Sequence, residues 1–448
     1  MNTKLFSYLT ARAMVYSMLY SIIFASVIVF ASCQKDCPLP IDTPQAGDYT
    51  LPGEWEEQSS VWIGWSTYQN KAGMPTQYVH AEMIKGLAAH VMIDIAVQDS
   101  AEIASASSDL LAYGVTQQTI NTRLKFHVIR HNDIWWRDMG SIFLRNNVGK
   151  KLMVDFNFNG WGYAPYTNDV GKSGFALDET VDRQLAADLN LPTVSSQMTL
   201  EGGAIESNGK GTIIIAESVV FQRNPNMTKA QAEAELKRVL NAKKIIWVPR
   251  GVGNDVHSVT GCPFVINGEN VYTTITTNGH TDEFVRFVDD HTLLLAEVPA
   301  AEATDTIARY SRNALLAIET ILKNATDQDG KPFTIIRMPE TGTILKEVQA
   351  GDGTFDFLST MADLNLNPTQ PIKVVLASSY LNYIISNGVI LMPKYAGNTG
   401  VPNLQAKDNQ AKQILQAAFP NRQIVQIEVN NINIGGGGMH CISQQVPK

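Results

Sequence analysis

The sequence predicts an α/β chain built around one covered sheet system. Three observations lead there. Short apolar runs of strand length alternate with longer, amphipathic stretches of helix length. The composition is that of a globular protein, with 44% hydrophobic and 17% charged residues in 448. From residue 51 to the C-terminus no linker-like stretch interrupts the alternation, so a single large domain, 51–448, is expected.

The elements can be placed in order. Strands are expected at 61–65, 91–97, 125–129, 211–216, 244–248, 292–297, 332–337, 372–377 and 423–428, each a short apolar run. Helices are expected at 78–89, 229–240, 305–322 and 409–419. In 305–322, Ile307, Tyr310, Leu315, Ile318 and Ile321 make a helical stripe, and Asp305 is placed to cap its start. No close repeat of sequence is visible.

Composition excludes several classes. Wholesale disorder, a collagen-like chain and a polytopic membrane protein do not fit it. Lys+Arg is 35 against Asp+Glu 43, a net charge of −8, so nucleic acid is not an expected partner. Four cysteines cannot make a disulfide scaffold, and each needs its own reading.

The first 32 residues carry Lys4 and Arg12 and no acid, then an uncharged run from Ala13 to Ala31. That is the pattern of an export signal. It ends at Phe30-Ala31-Ser32-Cys33, which resembles a bacterial lipoprotein cleavage site with Cys33 as the lipidated residue. An uncleaved membrane anchor and a conventionally cleaved signal are the alternatives. In each case the remainder works outside the cytoplasm. Residues 33–50, rich in proline, read as a tether. An exported, membrane-anchored chain is therefore expected.

Several short motifs carry chemistry. Ile134-Trp135-Trp136-Arg137-Asp138-Met139-Gly140 groups indoles, a cation and an acid after a strand. In Gly279-His280-Thr281-Asp282 an extended backbone would put His280 and Asp282 on one face, an acid/base beside a carboxylate. Glu201-Gly202-Gly203 precedes a turn at Asn208-Gly209. Cys441 follows four glycines and His440, and a nucleophilic thiolate needs such access and an electropositive setting. Each motif taken singly has a plain alternative: a surface His-x-Asp pair, a solvated Glu201, an Asp138–Arg137 salt bridge, a structural thiol. Cys262, His257 and His291 lack paired metal-ligand spacing.

Taken in order, these segments resemble a known family. Leu51-Pro52-Gly53-Glu54-Trp55-Glu56, Trp135-x-Arg137-Asp138-x-Gly140, Phe158-Asn159-Gly160-Trp161-Gly162, Glu201-Gly202-Gly203, Arg223-Asn224-Pro225-Asn226, Thr277-Asn278-Gly279-His280-Thr281-Asp282 and the stretch 435–445 look like agmatine deiminases and bacterial peptidylarginine deiminases. The resemblance implies the pentein fold, a five-bladed α/β propeller with pseudo-fivefold symmetry. It implies Cys441 as nucleophile at a guanidinium carbon and His280 as acid, then base. Asp138 and Asp282 would grip the guanidinium nitrogens, Glu201 would complete the acidic cage, and Trp135 and Gly436 would line the substrate. It implies no metal and no organic cofactor, and a small cationic guanidino substrate or an arginine-bearing peptide.

Three departures bear on the substrate. Gly438 stands where the family usually has asparagine. Thr276-Thr277 stands where agmatine-specific members are acidic, with Asp255 upstream of a 256–276 insertion that could form a hairpin at the channel mouth. Export is unexpected for agmatine catabolism. Against these, Phe158-Asn159-Gly160-Trp161-Gly162 is agmatine-type and offers no basic pair for a carboxylate. Arg286 reads as a structural salt-bridge residue. Agmatine deimination is the first expectation and peptidylarginine deimination the second. A surface-anchored binding protein on the same scaffold is the non-enzyme alternative. Cys37 and Cys262 could pair in an oxidising compartment.

Overall fold

Five times along the chain, two short antiparallel strands are followed by a helix and a third strand parallel to the second. The computed structural model describes residues 47–65, 70–71, 74–397 and 400–448. The expected export segment, Cys33, Cys37 and most of the tether lie outside the described residues.

The first unit is Ile142–Arg145, Lys151–Asn157 and Thr193–Thr199, with helices Asp169–Asp178 and Val181–Leu189 in the crossover. The second is Glu206–Ser207, Thr212–Ala216 and Lys244–Val248. The third is Val285–Phe287, Thr292–Glu297 and Thr334–Pro339, crossed by helix Thr306–Asn324. The fourth is Ile384–Ser386, Val389–Lys394 and Gln423–Glu428, crossed by Leu404–Ala418. The fifth joins both ends of the described chain. Ser443–Pro447 pairs antiparallel with Gln58–Gly64, which runs parallel to Met92–Val97, and Leu124–Val128 adds a fourth strand. Fivefold recurrence is what a five-bladed α/β propeller requires.

The middle strands are apolar because helices and neighbouring layers cover them. All of Thr212–Ala216 is buried, as are Leu293, Leu294, Leu295 and Ala296. Helix starts are fixed locally. Asp305 accepts from the Ile307 and Ala308 N–H groups at 2.8 Å, as its position implied. Thr228 and Gln231 form a reciprocal capping box.

The 256–276 insertion does contain a hairpin, Phe264–Ile266 with Glu269–Thr273, turning at Asn267 and Gly268 in left-handed backbone. It joins Ile372–Val375 and Leu345–Val348 in a separate four-stranded sheet. Only Ile275, beyond the hairpin, reaches the cavity described below. Cys262 is half-buried, and its Sγ accepts from the Thr273 N–H at 3.3 Å. Among the described residues no helix is long and apolar enough to cross a membrane.

Candidate active site

The segment leading into the first strand of each unit supplies one polar side chain. Asp138, Glu201, Asp282, Asn382 and Cys441 stand two to five residues ahead of the first, second, third, fourth and fifth units. All five are buried. The repeat therefore places chemistry at equivalent positions, although the residues themselves differ.

Cys441 lies close to the C-terminus yet is 3% exposed, because Ser443–Pro447 is zipped onto Gln58–Gly64. Its Sγ lies 3.6 Å from Asp282 Oδ2 and 4.0 Å from Glu283 Oε1. Burial, followed by Asp282, Glu283 and Asp138, pushes the thiol well above its usual range. Gly437 gives the backbone its close approach. A Cβ there would stand 2.8 Å from the Trp135 ring and 3.0 Å from Sγ. Gly436, expected to line the substrate, instead packs its backbone (φ 114°) against the Ile275 carbonyl.

His280 does not sit on a strand. Asp282 falls in a 3-10 turn, Thr281–Glu283, with His280 just before it. The reason is Asp255, whose carboxylate accepts the N–H groups of Thr277, Gly279 and His280 at 2.8 to 3.0 Å, together with the Thr277 hydroxyl. These bonds tie the loop in place of a sheet ladder. His280 Nε2 lies 3.2 Å from Glu201 Oε2, and Nδ1 lies 3.7 Å from Asp138 Oδ1. Burial alone would lower the imidazole, but Asp138 and Glu201 outweigh it and raise it to about 9. Burial would likewise raise Glu201, but Arg223 at 2.8 Å and His280 bring it to about 2.

Asp138 accepts from the Trp161 indole N–H at 2.8 Å and the Gly203 N–H at 3.1 Å. Burial raises it to about 6 against the pull of His280. Arg137, its partner in the plain alternative reading, turns to Glu54 at 3.2 Å. Asp282 Oδ2 meets His440 Nδ1 at 2.7 Å, which overrides burial and lowers its pKa. His440 Nε2 reaches Glu54 Oε1 at 2.8 Å. Arg286 is buried in ion pairs with Glu54 and Glu206 and has no surface face.

Two buried polar atoms of this cluster have no hydrogen-bond partner among the described residues: His280 Nδ1 and Asp282 Oδ1. Gly203 lies against both residues: a Cβ there would stand 2.5 Å from His280 Nδ1 and 3.2 Å from Asp282 Oδ2. The arrangement suits a planar cation with several N–H donors, which carboxylates bind through charge-assisted pairs. Asp282, Glu283 and Cys441 also present ligand atoms within 4.8 Å of one another. The Asn382 amide nitrogen faces both Sγ, at 3.2 Å, and Glu283 Oε1, at 2.9 Å. A donor in that place opposes a metal ion there.

A cavity of about 440 Å³ lies beyond Trp135 and Trp161. Both rings line it, together with Asp133, Asp356, Asn132 and Ile275, and among the described residues no lysine or arginine lines it. The two indoles stand edge to face, 6.4 Å between centroids. Sequence reading gave no role to Asp255, Glu283 or Asn382. Asp255 alone carried a signal, as an acid displaced upstream by the insertion.

An α/β pentein with a cysteine, a histidine and paired carboxylates in its centre is the class that fold and site define. The Porphyromonas-type peptidyl-arginine deiminase family matches residues 50–447. Agmatine deiminase of Pseudomonas fluorescens SBW25 is 30% identical over 424 residues, covering 90% of this chain and 97% of that one. The Medicago truncatula agmatine deiminase is 28% identical, covering 91% and 98%. The solved agmatine deiminase of Enterococcus faecalis shares the fold, with TM-score 0.71 at 23% identity over 92% and 99% of the two chains. This chain belongs to the Porphyromonas-type peptidyl-arginine deiminase family and is a hydrolase of guanidino carbon–nitrogen bonds.

Proposed function

We propose that the chain hydrolyses agmatine to N-carbamoylputrescine and ammonia through a covalent Cys441 intermediate. The guanidinium lies between Asp138 and Asp282, and its charge lowers the thiol pKa that burial and the carboxylates hold up. The thiolate attacks the guanidinium carbon. His280, protonated at neutral pH, gives its Nδ1 proton to the departing nitrogen, and ammonia leaves a thiouronium on Cys441. His280 then takes a proton from water as the oxygen adds to the same carbon. Collapse of that adduct breaks the C–S bond, passes the hydroxyl proton to the sulfur or to solvent, and releases the ureido product. Glu201 holds the imidazole through Nε2.

The observation that carries agmatine over peptide arginine is the cavity beyond Trp135. Asp133 and Asp356 line it, and among the described residues no basic side chain does, which suits a distal ammonium better than a terminal carboxylate. The sequence pattern before Cys33 supports export and membrane attachment through that cysteine.

The test is turnover by the detergent-solubilised full chain. Agmatine, free arginine and a peptide ending in arginine are each assayed for ammonia and ureido product. Agmatine is expected to lead, and Cys441→Ala to release no ammonia. Turnover of the peptide without agmatine would reverse the substrate assignment. A Cys33→Ser chain should lose its lipid label and leave the membrane fraction.

A further inference from the structure

The fourth unit's contribution has no part in the mechanism above, yet it touches the reacting sulfur. We propose that Asn382 is a catalytic residue whose side-chain amide, with the Gly438 N–H, forms the donor pair that stabilises the Cys441 thiolate. The inference rests on the reading of Cys441 as nucleophile.

The geometry is specific. Asn382 Nδ2 donates to Sγ at 3.2 Å, and the Gly438 N–H donates to Sγ at 3.4 Å. The other polar neighbours of the sulfur are Asp282, whose charge opposes its ionisation, and the Glu283 carboxyl at 4.0 Å, and neither donates to a thiolate. A thiolate in this place therefore depends on these two N–H groups and on the substrate's charge. The amide cannot be turned round without loss, because its Oδ1 accepts the His440 N–H at 2.9 Å. The second Nδ2 hydrogen goes to Glu283 Oε1 at 2.9 Å. Burial, with Asp282 next, raises the Glu283 carboxyl well above its usual range, which favours its neutral form beside the amide.

The same geometry explains glycine at 438. A Cβ there would collide with Asn382 Oδ1 and stand 2.8 Å from its Cγ. The missing side chain is what lets the amide of another unit reach the sulfur.

Alkylation of the thiol in the substrate-free full chain tests this and requires no turnover. Iodoacetamide labelling of Cys441 is followed by peptide mass spectrometry across pH. At pH 8, Asn382→Ala should label about ten- to a hundredfold more slowly than wild type, the loss of one hydrogen bond to an ion. Gly438→Ala, which displaces the amide, should slow labelling similarly, and the double variant should add little. Asn382→Ser should restore part of the rate. Each variant is checked by its melting curve. If Asn382→Ala fails to fold, Gly438→Ala carries the test. Unchanged labelling in a folded Asn382→Ala or Gly438→Ala would overturn the proposal. Slowed labelling in a chain that turns over no guanidine would leave the thiolate assignment standing and remove the deiminase reading instead.

Discussion

Replacing Trp161 by phenylalanine deletes one N–H group and keeps an aromatic wall. The backbone makes it a clean perturbation. Trp161 has φ 53°, between Gly160 at 65° and Gly162 at 82°, so three successive residues are left-handed. Asn159 Oδ1 holds the turn by accepting the Gly162 N–H at 2.8 Å. Phenylalanine inherits the same backbone strain, so what changes is the hydrogen bond from the indole to Asp138 Oδ2.

A hydrogen bond to an ionised group contributes about 1.5–3 kcal/mol. At about 1.4 kcal/mol per pKa unit, its loss raises Asp138 by about one to two units. Asp138 titrates at about 6 with the bond in place, and its carboxylate must be ionised to hold a guanidinium. The acidic limb of kcat/KM should therefore move to about 7–8. At pH 7 the variant should be about two- to tenfold slower, recovering most of that loss near pH 8.5, where His280 is still largely protonated. The assay is ammonia release under kcat/KM conditions from pH 5 to 9. An acidic limb unmoved in an active variant would refute the assignment of Asp138 as the titrating guanidinium ligand. A uniform loss at all pH values would show that Trp161 acts only through packing.

Other outcomes follow from the same geometry. Gly203→Ala puts a methyl group 2.5 Å from His280 Nδ1 and 3.0 Å from Asp138 Oδ1, so kcat/KM should fall by about a hundredfold or more while the melting temperature changes little. Glu201 titrates at about 2 in the fold against 4.5 free, so its contribution to stability is present above 4.5 and is lost as pH falls towards 2. Denaturant titrations at pH 7, 4 and 3 should show that decline. Arg223→Met breaks a fully buried pair and should cost about 3–5 kcal/mol at pH 7 by the same titration.

Where local pattern decides structure, the sequence was sufficient. The strands at 244–248, 292–297 and 423–428 and the helix at 229–240 have the expected bounds. Continuous apolar runs or a clean helical period mark them. Thr193–Thr199 was missed because Thr-Val-Ser-Ser-Gln-Met-Thr is mostly polar, and only Val194, Ser196 and Met198 are buried. The His280 loop was expected to be extended because its fold depends on Asp255, which a hairpin separates from it in sequence. Asn382 carries no motif at all. Its significance is positional, as the fourth member of a fivefold set, and the repeat is one of geometry that leaves no residue pattern to read.

The family resemblance located the charged groups, and on the proposed mechanism their balance has a consequence for catalysis. Before substrate binds, Cys441 is held neutral by burial and by carboxylates, and His280 is held charged by carboxylates acting against burial. Asp138 and Asp282 act on both groups: after burial, Asp282 is the main influence on the thiol, and Asp138 is the main one holding the proton on the histidine against burial. A guanidinium placed among them cancels the field that suppresses the thiolate. It also weakens the field that keeps the proton on His280. If Cys441 is the nucleophile and His280 the acid, as proposed, a single event releases both, the arrival of a cation. A neutral ureido group cancels neither field, so the thiol regains its proton and the cage loosens its hold on that end of the product. On the proposed mechanism, that asymmetry between a charged guanidinium and an uncharged ureido group gives the acidic cage a direction as well as a specificity.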